Sequence, residues 1–243
     1  MTPSPQQQRL REYERWQRLP GPSALFMRWA MGPLGMFFVN SPLFRLPEEL
    51  FLHPRQRLLD IGCGRGAMMR MLHSRVRFER PPVGIDFSRE VLRLADRDER
   101  GAGRPSRLAR ASATALPFSD ATFDLVTCGH VVKHLADEEL FVLLLELRRV
   151  LADGGLALIW DFAPTGNPRL DAWNERVLST ATTQSILRST RALLQAAELA
   201  GFEFCRDAKL RPFLFPPIPR ASVLIGRPPG RGEPDAPVGP QPR

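Results

Sequence analysis

The chain has 243 residues, of which 34 are Lys or Arg and 26 are Asp or Glu, giving a formal net charge of +8. Hydrophobic residues make up 43% and charged residues 25%, which excludes a wholly disordered or fibrous protein. At this length we expect one large domain, or one domain with appendages. Only Lys133 and Lys209 are lysines, so almost all of the positive charge is arginine, which indicates a coding bias more than a nucleic-acid-binding surface.

The N-terminal segment, residues 1–56, begins with a predicted polar helix over residues 6–18. The apolar stretch that follows, residues 24–39, contains Arg28 and is too short for a transmembrane helix, and no signal peptide is evident. We expect this segment to be a substrate lid or a peripheral membrane contact, with packing onto the sheet as the alternative. Its candidate acceptor-contacting residues are Trp16, Leu25, Phe26, Trp29, Met31, Met36, Phe37 and Phe38.

Residues 57–226 alternate short apolar runs with amphipathic helices, the pattern of βαβ units around a parallel sheet. Strands are predicted over residues 57–61, 82–87, 107–111, 123–128, 156–162, 202–210 and 221–226. Helices are predicted over residues 66–75, after a Ser88 cap, after an Asp137 cap, and over residues 185–200 with Gly201 as a left-handed end. Residues 227–243 are rich in Pro and Gly and are predicted to be a disordered tail.

The cysteines predict a reducing environment. Cys63, Cys128 and Cys205 are odd in number and widely spaced, which favours free thiols and a cytoplasmic location.

The first chemical motif is a glycine-rich turn between a strand and a helix. Asp60 ends the strand, and Gly62, Gly64 and Gly66 follow at every second position. Glycines allow a tight turn and a close approach of the backbone to a ligand, and the helix N-terminus attracts an anionic group. Alone, this pattern also satisfies a loose dinucleotide-binding motif, so a nicotinamide dehydrogenase stays open at this point.

Further motifs follow at regular spacing. Asp86 ends the second predicted strand, 26 positions after Asp60, where a carboxylate accepts hydrogen bonds from both hydroxyls of a ribose. The remaining blocks, in chain order, are Ala115–Phe118, Ser119–Val126, His134–Leu135 and Leu147–Gly155.

With these blocks in order, residues 55–226 resemble the class I S-adenosylmethionine-dependent methyltransferases, in particular the small-molecule branch of types 11 and 25. The resemblance implies an α/β, Rossmann-like three-layer sandwich with a seven-stranded, mostly parallel sheet and an antiparallel last strand. It also implies S-adenosylmethionine as the cofactor, bound at the carboxyl ends of the strands.

By the same resemblance, Asp60, Gly62 and Gly64 contact the methionine portion of the cofactor, and Asp86 contacts the ribose. The family usually has an acidic residue at the position of Ser112, so the adenine contact is expected to be weaker here. The complete set of expected cofactor-binding residues is Asp60, Gly62, Cys63, Gly64, Gly66, Asp86, Phe87, Ser112, Ala113, Cys128 and Gly129.

Two histidines are the candidates for catalysis. His130 and His134 follow the fourth strand, and at helical spacing they share one face, so either is a candidate general base, with a packing role as the alternative. No third ligand is near, so we expect no metal. The insert after the fifth strand supplies the other acceptor-pocket candidates: Trp160, Asp161, Phe162, Pro164, Asn167, Trp173 and Asn174.

The predicted function is methyl transfer from S-adenosylmethionine to an O, C or N atom of a small, apolar or aromatic acceptor by in-line displacement. Three alternatives remain. The positive charge motivates a nucleic-acid methyltransferase, although no dedicated nucleic-acid module is recognisable. Ser112 motivates a non-catalytic binding protein with a cofactor fold. A nicotinamide dehydrogenase is the last alternative.

Overall fold

A single seven-stranded sheet organises the chain. The computed structural model describes residues 50–102, 106–178, 185–210 and 219–228. The strands are β1 (Leu58–Ile61), β2 (Val83–Asp86), β3 (Arg107–Arg110), β4 (Phe123–Gly129), β5 (Leu151–Phe162), β6 (Phe204–Asp207) and β7 (Arg220–Gly226). Their order is β3-β2-β1-β4-β5-β7-β6, and only β7 runs antiparallel to its neighbours. The predicted sheet with an antiparallel last strand is confirmed.

Helices cover both faces of the sheet. They are α1 (Ala67–Arg75), α2 (Arg89–Ala102), α3 (Asp137–Val150), α4 (Pro168–Leu178) and α5 (Thr190–Leu199), with a 3-10 helix at Val132–His134. Along β5, Ala157 and Ile159 join one buried cluster, whereas Leu158 and Trp160 join another. Because successive side chains of a strand point to opposite faces, this alternation shows two cores and hence three layers.

The leucines of α3 form the larger core, as their helical spacing predicts. Leu140, Leu143, Leu144 and Leu147 are each at most 3% exposed. They pack with the odd-numbered residues of β5 and with the corresponding face of β7. The predicted amphipathic helix on the sheet is therefore confirmed.

The start of α3 differs from the prediction. Asp137 is the first residue of the helix, and Ala136 occupies the cap position. Alanine has no side-chain acceptor, and it is the Glu139 carboxylate that reaches back to accept a hydrogen bond from the Ala136 backbone N–H at 3.0 Å. The predicted Asp137 cap is wrong because the Asp137 carboxylate instead accepts a hydrogen bond from Arg188 at 2.7 Å.

Two other boundaries also shift. The helix predicted over residues 185–200 begins at Thr190, because the Ser189 hydroxyl caps it by accepting from the Ala192 N–H at 3.2 Å. Gly201 has φ +85° and ends the helix as predicted. The strand predicted over residues 156–162 also starts earlier. β5 begins at Leu151, which pairs with Phe123, and residues 152–155 bulge before the regular pairing with β4 resumes.

Several predictions concern residues outside the described ranges. These are the N-terminal helix and apolar stretch within residues 1–49, with all of their candidate acceptor contacts, and the tail over residues 229–243. In the described part of the chain, every helix is too short or too polar to cross a lipid bilayer.

Candidate active site

The glycine-rich turn leaves the carboxyl end of β1 in a left-handed backbone conformation. Gly62, Gly64 and Gly66 have φ values of +68°, +53° and +74°. A Cβ atom on Gly62 would lie 2.3 Å from the Val131 Cγ2 atom, so the turn is packed directly against the residues that follow β4. Other residue types are disfavoured here by both conformation and space, and the turn presents bare backbone at the edge of the sheet.

Asp60 is a buried carboxylate beside this turn. It is 3% exposed and lies between Gly84 of β2 and Thr127 of β4 in the sheet. Its Oδ1 atom accepts a hydrogen bond from the Thr127 hydroxyl at 2.7 Å, whereas Oδ2 has no hydrogen-bond partner among the described residues. Burial raises the pKa of Asp60 to about 7, against the opposing Thr127 bond, so the site favours a cationic ligand that would stabilise the ionised carboxylate.

Asp86 connects the glycine turn to the beginning of α2. It ends β2 and is 9% exposed. One carboxylate oxygen accepts from the Gly64 N–H at 3.1 Å, and the other accepts from the Ser88 N–H at 2.9 Å. Burial raises the pKa of Asp86 to about 6, although these backbone bonds favour its ionised form. Asp60 and Asp86 thus place two buried acids on either side of one turn.

The segment after β3 lies next to Asp86, because the Ala111 N–H donates to the Asp86 carbonyl oxygen at 3.2 Å. Ser112, Ala113 and Phe87 are all partly buried along this edge. The Ser112 hydroxyl lies 2.9 Å from the Thr114 hydroxyl, so it takes part in a local turn. The structure therefore places Phe87, Ser112 and Ala113 beside Asp86 at the carboxyl edge of the sheet. The Ser112 hydroxyl is hydrogen-bonded to Thr114 of the same segment.

The end of β4 completes the edge. Cys128 is fully buried, and burial raises the pKa of its thiol, which keeps the sulfur protonated and argues against a nucleophilic role. A Cβ atom on Gly129 would lie 2.2 Å from the Trp160 Cζ2 atom, so only glycine fits against this ring. Cys63 is also buried, and burial raises the pKa of its thiol as well.

The two candidate histidines do not share a helical face. His130 has φ +60° and precedes the 3-10 helix, which contains His134 as its last residue. The prediction from their spacing is wrong because the chain turns sharply at His130, where the backbone N–H donates to the Trp160 carbonyl oxygen at 2.9 Å. His130 consequently lies against the end of β5.

A buried charged network surrounds His130. Asp161 is 2% exposed, its Oδ2 atom accepts from the Lys133 backbone N–H at 2.9 Å, and its Oδ1 atom lies 3.5 Å from both the Lys133 Nζ and the His130 Nδ1 atoms. Burial would raise the pKa of Asp161, but the Lys133 charge and the His130 contact hold it well below its usual range. Lys133 was missed from the sequence, where the rarity of lysine was the only signal.

Some of the predicted acceptor-pocket residues at and after the end of β5 lie near His130, and others lie elsewhere. The Phe162 ring centroid lies 4.9 Å from that of His130, and Trp160 is buried beside it. Asn167 instead caps α4 by accepting from the Arg169 N–H at 3.0 Å, and Trp173 is 56% exposed. The two remaining candidates, Pro164 and Asn174, are partly and fully buried.

Across the described ranges, no group of three or more His, Cys, Asp or Glu side chains is arranged to hold a metal ion.

Comparison with known proteins gives consistent matches. Residues 58–155 match the family described as "Methyltransferase domain". A demethylmenaquinone methyltransferase of Thermus thermophilus is 39% identical over 113 residues, 45% of this chain and 48% of that protein. A 2-phytyl-1,4-naphtoquinone methyltransferase of Synechocystis is 35% identical over 116 residues, 47% of this chain and 48% of that protein. The chain therefore spans about half the length of the curated relatives that it matches.

Among solved structures, the fold resembles that of the S-adenosylmethionine-dependent methyltransferase SibL. The TM-score is 0.67 at 21% sequence identity, and the match covers 89% of this chain and 62% of SibL. At this identity the likeness shows the shared fold.

Proposed function

We propose that this chain is a class I S-adenosylmethionine-dependent methyltransferase and transfers a methyl group from S-adenosylmethionine to a small acceptor. The observation that carries the proposal is the pair of buried acids, Asp60 and Asp86, on either side of a left-handed glycine turn. The turn lies at the carboxyl edge where β1 stands between β2 and β4, the position at which open α/β sheets bind ligands.

The residues present fit this cofactor. The Asp60 Oδ2 atom, buried and without a partner in the described part of the chain, suits a cationic group such as the ammonium of the methionine portion. Asp86, with its backbone bonds to the turn, is the candidate for the ribose hydroxyls, and Ser112 for the adenine. When bound, the cofactor supplies an electrophilic methyl group on a positively charged sulfur.

The main contribution of the protein to the reaction is to position the acceptor beside the methyl group and to exclude water from the pocket. Gly129 allows the Trp160 ring to pack against the end of β4, and Trp160 and Phe162 form an apolar wall beside His130. Aligning a nucleophile with the methyl carbon in a dry pocket supplies much of the catalysis in such displacements. The same wall favours an apolar or aromatic acceptor. The two relatives described above are likewise named for quinone acceptors.

We also propose where the enzyme acts. We place the enzyme in the cytoplasm, with the basic and apolar residues 1–46 resting on an anionic membrane while an apolar acceptor is presented. Loss of binding to phosphatidylglycerol vesicles after deletion of residues 1–46 would support this contact, and unchanged binding would contradict it.

Isothermal titration calorimetry tests cofactor binding. The wild-type chain should bind S-adenosylmethionine and S-adenosylhomocysteine, and Asp60→Asn and Asp86→Asn should each weaken binding by about tenfold or more, which corresponds to one lost charged contact. Asp96→Asn is the matched control, since that carboxylate is 53% exposed and pairs with Arg100 on its own helix. Absence of binding, equal binding by all variants, or preferential binding of NADH would overturn the proposal.

A further inference from the structure

The imidazole of His130 is fixed by three consecutive residues of β5. Its backbone N–H bonds to the Trp160 carbonyl, its Nδ1 atom lies 3.5 Å from the Asp161 Oδ1 atom, and its ring packs on Phe162 with an interplanar angle of 40°. The Trp160 ring approaches edge-on at 6.4 Å between centroids. A ring held in this way has one nitrogen directed at a carboxylate, which selects between the two neutral tautomers.

We propose that Asp161 is a positioning residue that holds His130 with its Nδ1–H toward the carboxylate, so that Nε2 serves as the general base for an acceptor hydroxyl. This inference rests on the proposed function and narrows it to acceptors with an acidic hydroxyl, such as a phenol or a hydroquinone. In the step, the hydroxyl proton passes to His130 Nε2. The oxygen's electron pair forms the bond to the methyl carbon, and the pair of the broken carbon–sulfur bond stays on sulfur. The imidazolium then returns its proton to water.

Asp161 is held as an ionised acceptor for this purpose. Its carboxylate accepts backbone bonds from Lys133 at 2.9 Å and Phe162 at 2.8 Å, and the Lys133 ammonium lies 3.5 Å away. The ammonium also sits 5.6 Å from the centre of the Phe162 ring, so it is held on two sides. A carboxylate with these partners remains an acceptor toward the Nδ1–H across the neutral pH range.

The charges that face His130 also favour its neutral form, which a base needs. Burial lowers the pKa of His130, and the Lys133 and Arg220 charges lower it further, whereas Asp161 opposes them. Arg220 reaches this region because it begins β7 directly opposite Phe162. His130 is therefore neutral at the start of the reaction, and Asp161 stabilises the imidazolium when it forms.

Nitrogen-15 NMR of the imidazole groups in the full chain tests the tautomer without any turnover. The His130 signals are assigned from their loss in His130→Gln. At pH 7.5, the wild type should show the Nδ1–H tautomer, and Asp161→Asn should shift the population toward Nε2–H. An Nε2–H tautomer or an imidazolium in the wild type, or no change in Asp161→Asn, would overturn the inference even if cofactor binding succeeds.

Lys133→Met guards against the case in which Asp161→Asn does not fold. It leaves the Asp161 carboxylate in place and removes a neighbouring cation, so the Nδ1–H tautomer should persist while the pKa of His130 rises. Loss of the Nδ1–H tautomer in this variant, or a fall in the pKa, would contradict the arrangement.

The pH profile provides the second readout, with 1,4-naphthohydroquinone as the probe acceptor. His130→Gln should lower kcat/KM by about 100-fold or more and abolish the acid limb of the profile. His53→Gln is the matched control, because that histidine is exposed and its Nδ1 atom accepts a hydrogen bond from the Arg55 N–H in its own turn. An acid limb that survives in His130→Gln and disappears in His134→Gln would assign the base to His134 and overturn the inference.

Discussion

At the scale of single residues, Asp60 shows how the site sets ligand binding against stability. A carboxylate that is 3% exposed, with one oxygen lacking a partner among the described residues, is costly to ionise until a cation arrives. The pKa of about 7 expresses this cost. The residue that makes the site receptive therefore destabilises the ligand-free protein at neutral pH.

This leads to a pH-dependent stability prediction. The folded-state pKa of Asp60, about 7, lies above its ordinary value of 3.8, so the folded chain binds more protons than the unfolded chain between these values. The stability contribution of Asp60 is consequently present at low pH and lost as the pH rises through 7. Asp60→Asn should raise the free energy of unfolding at pH 8 by about 2 kcal/mol and change it little at pH 4.5.

Urea denaturation of the ligand-free chain at the two pH values measures this effect, with Asp96→Asn as the exposed control. A variant that is less stable than the wild type at pH 8 would contradict the account of Asp60.

The glycine turn gives a second prediction at this scale. Gly62→Ala combines left-handed strain with a clash against Val131, whereas Gly166→Ala has φ +83° with no atom within 4 Å of the new Cβ. We expect a loss of unfolding free energy of about 2–4 kcal/mol for Gly62→Ala and about 1 kcal/mol for Gly166→Ala. Urea denaturation compares them, and equal losses would show that the contact with Val131 carries no weight.

At the scale of elements, residues 186–188, which lie just before α5, secure the turn that carries His130. Arg188, 8% exposed, donates to the Val132 and Leu135 carbonyl oxygens at 2.7 Å each and to Asp137 at the start of α3. Two residues before Arg188, the Ile186 N–H donates to the Lys133 carbonyl oxygen at 2.8 Å. The turn is therefore held from β5 on one side and from residues 186–188 on the other.

Arg188→Met should loosen this turn. Loss of its hydrogen bonds to buried carbonyl groups should lower the free energy of unfolding by about 2 kcal/mol and speed hydrogen exchange of the amides of residues 132–135. Arg191→Met, at an exposed position of α5, serves as the control and should stay within about 0.5 kcal/mol of the wild type. Unchanged exchange in Arg188→Met would contradict the role assigned to residues 186–188.

The cap of α3 offers a stabilising change. Ala136 has an extended backbone suited to a capping residue but no side-chain acceptor. Ala136→Ser should add a hydrogen bond to the first turn and raise the free energy of unfolding by about 1 kcal/mol. Thermal denaturation measures the gain, and Ala136→Val, which adds bulk without an acceptor, should give none. A similar gain from both substitutions would show that capping is not the cause.

The elements also show what the sequence can and cannot predict. The apolar period of α3 and the runs of β1, β4 and β5 predict their places because burial alone determines them. The shifted starts of α3 and α5 depend on Arg188 and Ser189, whose long-range and capping bonds leave no periodic signal. The position of His130 depends on a left-handed φ, which spacing in the chain cannot reveal.

At the scale of the whole molecule, strand order brings distant residues together. β1 stands between β2 and β4, so Asp60 and Asp86 meet at one turn, and β4 stands beside β5, so His130 meets Asp161. The family resemblance predicted the first meeting through its motifs. The second was not predicted, because Asp161 was placed only among the acceptor-pocket candidates.

Part of the arginine charge behind the net charge of +8 is paired with acidic side chains. Arginines in the described ranges pair with nearby acids, as in Arg57 with Asp124 at 2.6 Å, Arg65 with Asp98 at 2.8 Å and Arg149 with Asp120 at 2.9 Å. The turn itself is bordered by buried acids. The domain limits, residues 57–226 with an N-terminal segment and a tail, stay a prediction.

Transfer of a labelled methyl group from S-adenosylmethionine is the decisive test of the proposed activity. The full chain is incubated with S-adenosylmethionine carrying a trideuterated methyl group and with a panel of hydroquinones, phenols, amines and transfer RNA, and products are read by mass spectrometry. We predict that a small aromatic acceptor with a hydroxyl group gains one labelled methyl group, with one S-adenosylhomocysteine formed per turnover. Both products should fall by about tenfold or more in Asp60→Asn at a cofactor concentration below saturation. Cofactor binding without labelled product across the panel, or labelling of the RNA alone, would contradict the account.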